Sequence, residues 1–220
     1  MFPQAALHAA RLPTIRPDIA RPDFTPIAIN TGSYCKARQR LPEVLITTLG
    51  RLVADRVEAD AKPWNWNGHP VQIVDGSTVS MPDTQANQEA FPQPKNQKPG
   101  VGFPLARLLL IVSLATGCVR RMRVAVDRPG FRPKVLHLVT TLLDAQRYPK
   151  ADVATLYRRR WQIELHLRAL KADGEMGILR CQSPSMVRKE IALHVLVFNA
   201  VRAVMVTAGI GVNREPWWLS

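Results

Sequence analysis

Acidic residues are scarce in this chain. Seventeen Asp and Glu residues stand against thirty Lys and Arg residues, which leaves a formal net charge of +13 over 220 residues. Such an imbalance favours a polyanionic partner, nucleic acid before an acidic membrane. On charge alone, a ribosomal-type or simply basic protein is the alternative.

Cysteine is also scarce, with Cys35, Cys118 and Cys181 forming an odd and widely spaced set. No CxxC motif or Cys/His ligand spacing occurs, which argues against a structural zinc site. Reduced thiols in a cytoplasmic protein are the simplest interpretation.

The sequence lacks two further features, a secretory signal and an uninterrupted membrane span. Prolines and charges break up the N-terminal region, so no signal peptide is predicted there. The most apolar stretch, residues 191–212, contains His194, Asn199 and Arg202. It therefore favours a buried or docked helix over a transmembrane helix.

The remaining pattern predicts four segments. The first segment contains five prolines and shows little periodicity, which predicts a loop, a disordered segment or a misplaced start. The second segment is predicted to be helical and could contact DNA. A catalytic core and a C-terminal helix with a tail follow. The segments are 1–31, 32–66, 67–184 and 185–220.

The helical segment breaks at Pro42. Its cations Lys36, Arg38 and Arg40 either face phosphates or form a solvated basic face. Its apolar stripe consists of Leu45, Leu49, Leu52 and Val53.

Strand and helix patterns alternate through the predicted core. We expect a strand at 71–74 that ends at Asp75, and a strand at 108–115 that is buried on both faces. In the third strand Met122, Val124 and Val126 point one way, and Arg121 and Arg123 point the other. The predicted later elements are a strand at 135–143, a helix at 152–172 with Asp152 as N-cap, and a helix at 185–208.

One motif, YRRRWQIELHLRALK at residues 157–171, combines a lone carboxylate with cations. At about 100° per residue, its signature side chains fall within roughly 60° of one helix face. A neighbouring apolar stripe of Leu156, Ile163, Leu167 and Leu170 can dock the helix, and Trp161 is predicted to pack in the core. This arrangement suits a divalent metal beside a phosphate backbone, although Glu164 could instead pair with Arg160 or Arg168. The signature residues are Tyr157, Arg160, Glu164 and Lys171.

The chain resembles the DDE transposases of bacterial insertion sequences, the cut-and-paste class with a ribonuclease-H-like core. The resemblance rests on that signature, on VQIVDGSTVSMPDT (71–84) followed by NQKPGVGFPLARLLLIVSLATG (96–117), and on RPGFRPKVLHLVTTLLDAQRYP (128–149). It implies an α/β fold: a ribonuclease-H-like mixed sheet flanked by helices, with an incomplete core and a helical N-terminal appendage.

The resemblance also implies a chemistry. Asp75 and Glu164 match two catalytic residues that hold Mg²⁺, for which Mn²⁺ can substitute, during phosphoryl transfer on DNA. Tyr157, Arg160 and Lys171 match residues that contact DNA phosphates. The implied partner is double-stranded DNA at the terminal repeats of the element. Two copies of the chain could form a homodimer in that DNA complex. Neither a membrane nor a small-molecule substrate is implied. The implied location is the cytoplasm, at the nucleoid.

The second catalytic aspartate of the family has no match. Gly117 ends one matched segment and strand-like sequence begins at Val119, which leaves no room for the intervening helix and strand. We interpret Asp127 as a turn residue and Asp144 as part of the loop before the glutamate helix. The sequence therefore predicts an internal deletion, weak magnesium binding and little or no strand cleavage.

Two other hypotheses stay open. The chain is either a non-enzymatic DNA-binding remnant that occupies element ends and inhibits a full-length enzyme, or a chain that never folds stably. In the second case, loss of central strands leaves exposed strand edges that invite aggregation.

Overall fold

The computed structural model describes residues 32–95, 98, 100–126, 142 and 144–214. The chain divides into two compact units, residues 1–40 and 41–220. In the first unit the described residues form helix α1, Gly32–Arg40, on which the guanidinium of Arg38 lies over the ring of Tyr34. The proline-rich segment 1–31 lies outside the described residues.

The second unit is built around a three-stranded antiparallel sheet. Its strands β1 (Gln72–Ser80), β2 (Leu105–Ser113) and β3 (Val119–Val126) lie in the order β1-β2-β3. The predicted first strand at 71–74 was too short. Asp75 pairs with Leu110 in mid-strand, and β1 continues because Val79 places a second apolar anchor on the buried face.

The sheet buries one face. On β2 the exposed Leu109 lies between the buried Leu108 and Leu110, so the expected burial on both faces fails there, whereas residues 112–115 are all buried. On β3, Met122 and Val124 pack on the core, while Arg121 and Arg123 point away, as the alternation predicted. The buried residues of β2 are Ala106, Leu108, Leu110 and Val112.

Two long helices run side by side in the same direction. Helix α2 (Glu43–Asp60) and helix α6 (Pro184–Gly211) approach closely at Gly50, where an added Cβ would lie 3.7 Å from the Cα of Leu196. A short 3-10 turn, Lys62–Trp64, follows α2. The buried amide of Asn199 accepts from the N–H of Val119 at 2.8 Å and donates to the carbonyls of Gly50 and Val119, which ties α2, β3 and α6 together.

The predicted apolar stripe of α2 does not face the core. The side that packs on α6 includes the small residues Gly50 and Ala54, whereas Leu45, Leu49 and Leu52 are exposed and Val53 is partly buried. Gly50 and Ala54 face α6 because their small side chains allow the two helix backbones to approach each other. The buried set is Ile46, Gly50, Ala54 and Val57.

Helix α6 has the length and composition of a membrane span. In this fold it packs on the core through Val187, Ile191 and Val195, and it buries the polar residues Asn199 and Arg202. This is the docking arrangement that its polar residues predicted, and its bounds lie close to the expected 185–208.

Three further α-helices complete the described part of the second unit. They are α3 (Gln85–Ala90), α4 (Lys150–Arg158) and α5 (Trp161–Arg168), the last of which contacts β1 and is continued by one π-helical turn, Ala169–Asp173. The single helix predicted at 152–172 is therefore broken. Helix α4 begins after Pro149, so Asp152 lies in the first turn and is not the N-cap.

The fold is α/β, as expected. The described strands pair only in antiparallel fashion, apart from one isolated parallel bridge between Ser80 and Ile178. The strand expected at 135–143 lies outside the described residues, and so does Asp127. Residues 114–118 connect β2 to β3. The N–H of Ser113 donates a hydrogen bond to the carbonyl of Cys118 and closes this turn.

Candidate active site

Asp75 lies on β1, an outer strand of the sheet that the described residues form, on the face that packs against α5. Its side chain is 26% exposed, and its Oδ1 accepts a 2.8 Å hydrogen bond from the N–H of Gly76. Because side chains alternate along a strand, Asp75 shares its face with Val79, which is buried beneath α5 and α6. Asp75 therefore reaches solvent beside the helix that contains the signature.

Glu164 lies on α5, and Arg160 joins it to Asp75. The Nη2 of Arg160 is 3.3 Å from Oε1 of Glu164, and its Nη1 is 3.6 Å from Oδ2 of Asp75. Ile163 and Leu167 are buried on the same helix, as predicted, and hold it against the sheet. The two carboxylates are thus close enough for one guanidinium to span them.

Tyr157 and Lys171 are placed differently from that trio. Tyr157 is partly buried on α4, before the chain breaks at Arg159 and Arg160. Lys171 is partly buried in the π-helical turn, where its carbonyl accepts from the N–H of Gly177. The break and the π turn both change the angular spacing, so the expected single helix face is not preserved across all four signature residues.

The carboxylates only partly match the requirements of a divalent metal. Hard cations take six or more oxygen ligands, and the resemblance implies a set of three carboxylates. The described part of the chain contains no group of three or more His, Cys, Asp and Glu residues that could hold a metal ion. Arg160 moreover already places a positive charge between Asp75 and Glu164. Asp75 and Glu164 therefore do not form the complete set of ligands that a divalent metal requires.

Trp161 was expected in the core but is exposed. It begins α5 directly after Arg160, and two exposed cations lie nearby in the sequence, Arg158 at the end of α4 and Arg168 at the end of α5. An exposed ring among cations can stack on a base or a sugar. The sequence signal was available, because Trp161 is flanked by arginine and lies off the Ile163–Leu167 stripe.

Asp144 belongs to the loop before α4, as predicted. Its Oδ1 accepts hydrogen bonds from the N–H groups of Gln146 and Arg147, both at 3.0 Å, so it caps a turn. The hydroxyl of Tyr148 lies 2.6 Å from Nε2 of His69, which anchors the loop to the segment before β1. The loop thereby fixes where α4 starts.

A buried polar cluster supports α5 from the side opposite Glu164, and the sequence analysis missed it. A Cβ added to Gly117, at φ +71°, would lie 2.7 Å from Cε1 of His166 and 2.8 Å from Nε of Arg202. The Nε of Arg202 donates to the carbonyl of Thr116 at 2.8 Å. In the sequence, only the glycine at the predicted turn, Gly117, indicated that other groups come close to the backbone here.

Burial shifts the titration of this cluster. Desolvation, reinforced by the nearby charge of Arg202, lowers the pKa of His166 from 6.5 to about 4. Desolvation also raises the pKa of the Cys118 thiol to about 11. His166 is therefore neutral at physiological pH, and Cys118 is an unreactive thiol.

Comparisons with known proteins agree with the resemblance. The family model for the transposase DDE domain matches residues 128–201, a segment that includes Glu164 but not Asp75. The chain is 32% identical over 117 residues to the transposase InsG for insertion sequence element IS4 of Escherichia coli (strain K12). That alignment covers 52% of this chain and 23% of the relative, so the chain spans about a quarter of the relative's length.

No solved structure matches the chain significantly. The family match coincides with the segment that contains Arg160 and Glu164, and the structure brings that segment to Asp75. By both comparisons the chain is similar to the DDE transposases of insertion sequences, over part of its length.

Proposed function

We propose that this chain binds the terminal DNA of an insertion sequence and, by itself, cleaves DNA weakly or not at all. The observation that supports this most directly is the guanidinium of Arg160 between Asp75 and Glu164. The carboxylates converge as a DDE centre requires, yet a side-chain cation occupies the position between them.

The basic surface supports DNA as the partner. Arg158, Arg168 and Trp161 are exposed beside Arg160, and the whole chain has a charge of +13. Arginine donates to phosphate oxygens in a planar fork, so a phosphate that approaches α5 competes with the two carboxylates for Arg160. Tyr157 and Lys171 contribute from the flanking turns in this proposal.

The architecture supports an incomplete ribonuclease-H-like core. Residues 114–118 connect β2 directly to β3 in a tight turn that contains neither a helix nor a strand. An internal deletion at this turn accounts for the missing second aspartate. The Mg²⁺ or Mn²⁺ affinity of Asp75 and Glu164 is accordingly low. The proposed location of the chain is the cytoplasm, at the nucleoid.

The convergence of Asp75 and Glu164 favours a second candidate function, which is metal-dependent DNA cleavage and strand transfer at the element ends. In that case a third carboxylate completes the ligand set, and Arg160 leaves the pair when DNA binds. The two candidates differ in one readout, the metal-dependent nicking of DNA.

The salt dependence of DNA binding tests the proposed interface. Replacing Arg160 and Lys171 together with glutamine should lower the slope of log K against log salt by up to about two, because each lost phosphate contact removes roughly 0.9. The slope is measured by fluorescence anisotropy on a labelled duplex that ends in the element's terminal repeat.

A matched control separates this interface from general charge. Arg56 is exposed on α2 and Lys62 is exposed in the 3-10 turn, so the double glutamine variant of these two removes the same charge elsewhere. Its slope should stay close to that of the original chain. Equal slopes for both double variants would remove Arg160 and Lys171 from the DNA interface.

A further inference from the structure

A cavity of about 310 Å³ opens between α2, β3 and α6. Its volume lies at the lower end of the range of small-molecule sites and equals that of roughly ten water molecules. Neither Asp75 nor any signature residue lines it. We call it the β3 cavity and define it by Val44 and Arg51 of α2, Arg120, Arg121 and Met122 of β3, and Val195 of α6.

Three arginines line the β3 cavity, and two of them have no acidic partner in the described part of the chain. Arg120 pairs with Asp55 at 2.8 Å and with Glu58 at 3.6 Å, and neither carboxylate lines the cavity. Arg51 and Arg121 are exposed and form no ion pair with any residue that the structure describes. A concave surface with one sign of charge concentrates small ions of the opposite sign. The cavity is therefore expected to attract an anion.

The interior of the β3 cavity is apolar. Its lining residues Ile46, Val119, Ala192 and Val195 are each at most 7% exposed. The cations are less buried than this lining, since even the Arg120 side chain is 20% exposed, so they border an apolar interior. Small-molecule sites usually combine a largely apolar lining with a few polar groups. This combination suits an anion with an apolar body better than the backbone of a DNA duplex, which has no apolar group to fill the interior.

We propose that the β3 cavity binds a phosphate monoester with a compact apolar body. A phosphate monoester carries about −1.5 to −2 charges at pH 7, which matches the two guanidinium groups of Arg51 and Arg121, whereas a carboxylate would match one. Guanidinium groups bind phosphate oxygens through paired N–H donors. The Nη1 of Arg121 donates to the carbonyl of Arg120 at 3.3 Å and thereby keeps this guanidinium beside the cavity. The apolar body of the ester fills the interior, where its burial adds to the affinity.

Isothermal titration calorimetry of the full chain, without DNA or added metal and in about 0.15 M NaCl, tests this proposal with phenyl phosphate as the probe. Phenyl phosphate should bind at one site per chain. It should bind roughly ten times more tightly than inorganic phosphate, which lacks an apolar body, and than benzoate, which carries a single charge. Phenol, the neutral analogue, should not bind measurably.

Two single variants locate the site. Arg51→Gln and, separately, Arg121→Gln should each weaken the binding of phenyl phosphate roughly tenfold, because each removes a charge-assisted hydrogen bond. Arg56→Gln is the matched control, since Arg56 is exposed on the same helix as Arg51 but does not line the cavity. Its affinity for phenyl phosphate should equal that of the original chain. Far-UV circular dichroism checks that each variant folds as the original chain does.

The outcomes are distinct. Selective binding of phenyl phosphate that both cavity variants weaken and Arg56→Gln retains supports the proposal. It is overturned by no binding at millimolar phenyl phosphate, by equal affinities for phenyl phosphate and inorganic phosphate, or by unchanged affinity in Arg51→Gln and Arg121→Gln. An excess of duplex DNA that displaces phenyl phosphate would also overturn it, by assigning the β3 cavity to the DNA interface. The proposal stands apart from the DNA interface proposed at Arg160 and Lys171, because the affinity for phenyl phosphate is measured without DNA.

Discussion

Replacing Gly117 with alanine should lower the free energy of unfolding by roughly 2–5 kcal/mol. The backbone at Gly117 has φ +71°, which is strained for any residue with a Cβ and costs about 1–2 kcal/mol. The new Cβ would also lie under 3 Å from the ring of His166 and from Nε of Arg202. Neither group can withdraw cheaply, because both are largely buried, so overpacking adds about 1–3 kcal/mol. Urea denaturation at neutral pH measures the loss.

Gly100 provides the control for that substitution. Its φ of +78° is nearly the same, but among the residues that the structure describes no heavy atom lies within 4 Å of an added Cβ. Gly100→Ala should therefore show the backbone cost alone, about 1–2 kcal/mol. Equal losses for Gly100→Ala and Gly117→Ala would mean that His166 and Arg202 do not pack against the turn as the structure shows.

Acidification should destabilise the chain by up to about 3 kcal/mol through His166. Its pKa is about 4 in the folded chain and 6.5 as an unperturbed side chain. Between these values the unfolded chain binds more protons, so stability rises with pH. The contribution of neutral His166 is therefore fully present above pH 6.5 and is lost as the pH falls toward 4, at about 1.4 kcal/mol per pKa unit. Urea denaturation at intervals from pH 7 to pH 4 follows this loss.

A His166→Gln variant isolates this titration from that of the carboxylates. Glutamine is neutral throughout, so the variant should lose less stability than the original chain between pH 6.5 and pH 4. If His166→Gln kept the full acid sensitivity, the buried imidazole would not be its source.

The sequence predicted that Asp75 and Glu164 lie close together, and the structure agrees, whereas it predicted the packing less well. Asp75 and Glu164 were identified through motifs that lie 89 positions apart, and they share one guanidinium in the structure. Such residues can be identified from the sequence because a motif depends only on residue types and on a few fixed spacings. The catalytic roles of both residues stay predictions, as do the four segment boundaries.

The prediction of packing failed where a helix has two sides that could each face the core. Leu45, Leu49 and Leu52 form a convincing helical stripe, yet Gly50 and Ala54 face α6 instead. Periodicity reports which side of a helix is apolar and does not report how close a neighbouring backbone comes. The exposed Leu109 shows the same limit, because an apolar run cannot reveal whether a second layer covers the sheet.

The broken glutamate helix has a similar cause. Its apolar positions fit one continuous helix, but the chain turns at Arg159 and widens into a π turn after Arg168. Gly174 and Gly177 then return the chain to β1 at Ser80, through a hydrogen bond from Ser80 to Gly177. Long-range hydrogen bonds of this kind leave no local pattern from which the π turn could be predicted.

Metal-dependent nicking of DNA distinguishes a centre that lacks a ligand from a complete catalytic centre. The purified full chain is incubated with a supercoiled plasmid that contains the element's terminal repeats, with Mg²⁺, Mn²⁺ or a chelator, alongside the Asp75→Asn and Glu164→Gln variants. We expect the chain to bind the repeats in a mobility shift and to nick the plasmid no more than the two variants do, in either metal. Robust nicking that requires the metal and disappears in Asp75→Asn would contradict it, and would show that a complete catalytic centre forms around Asp75 and Glu164.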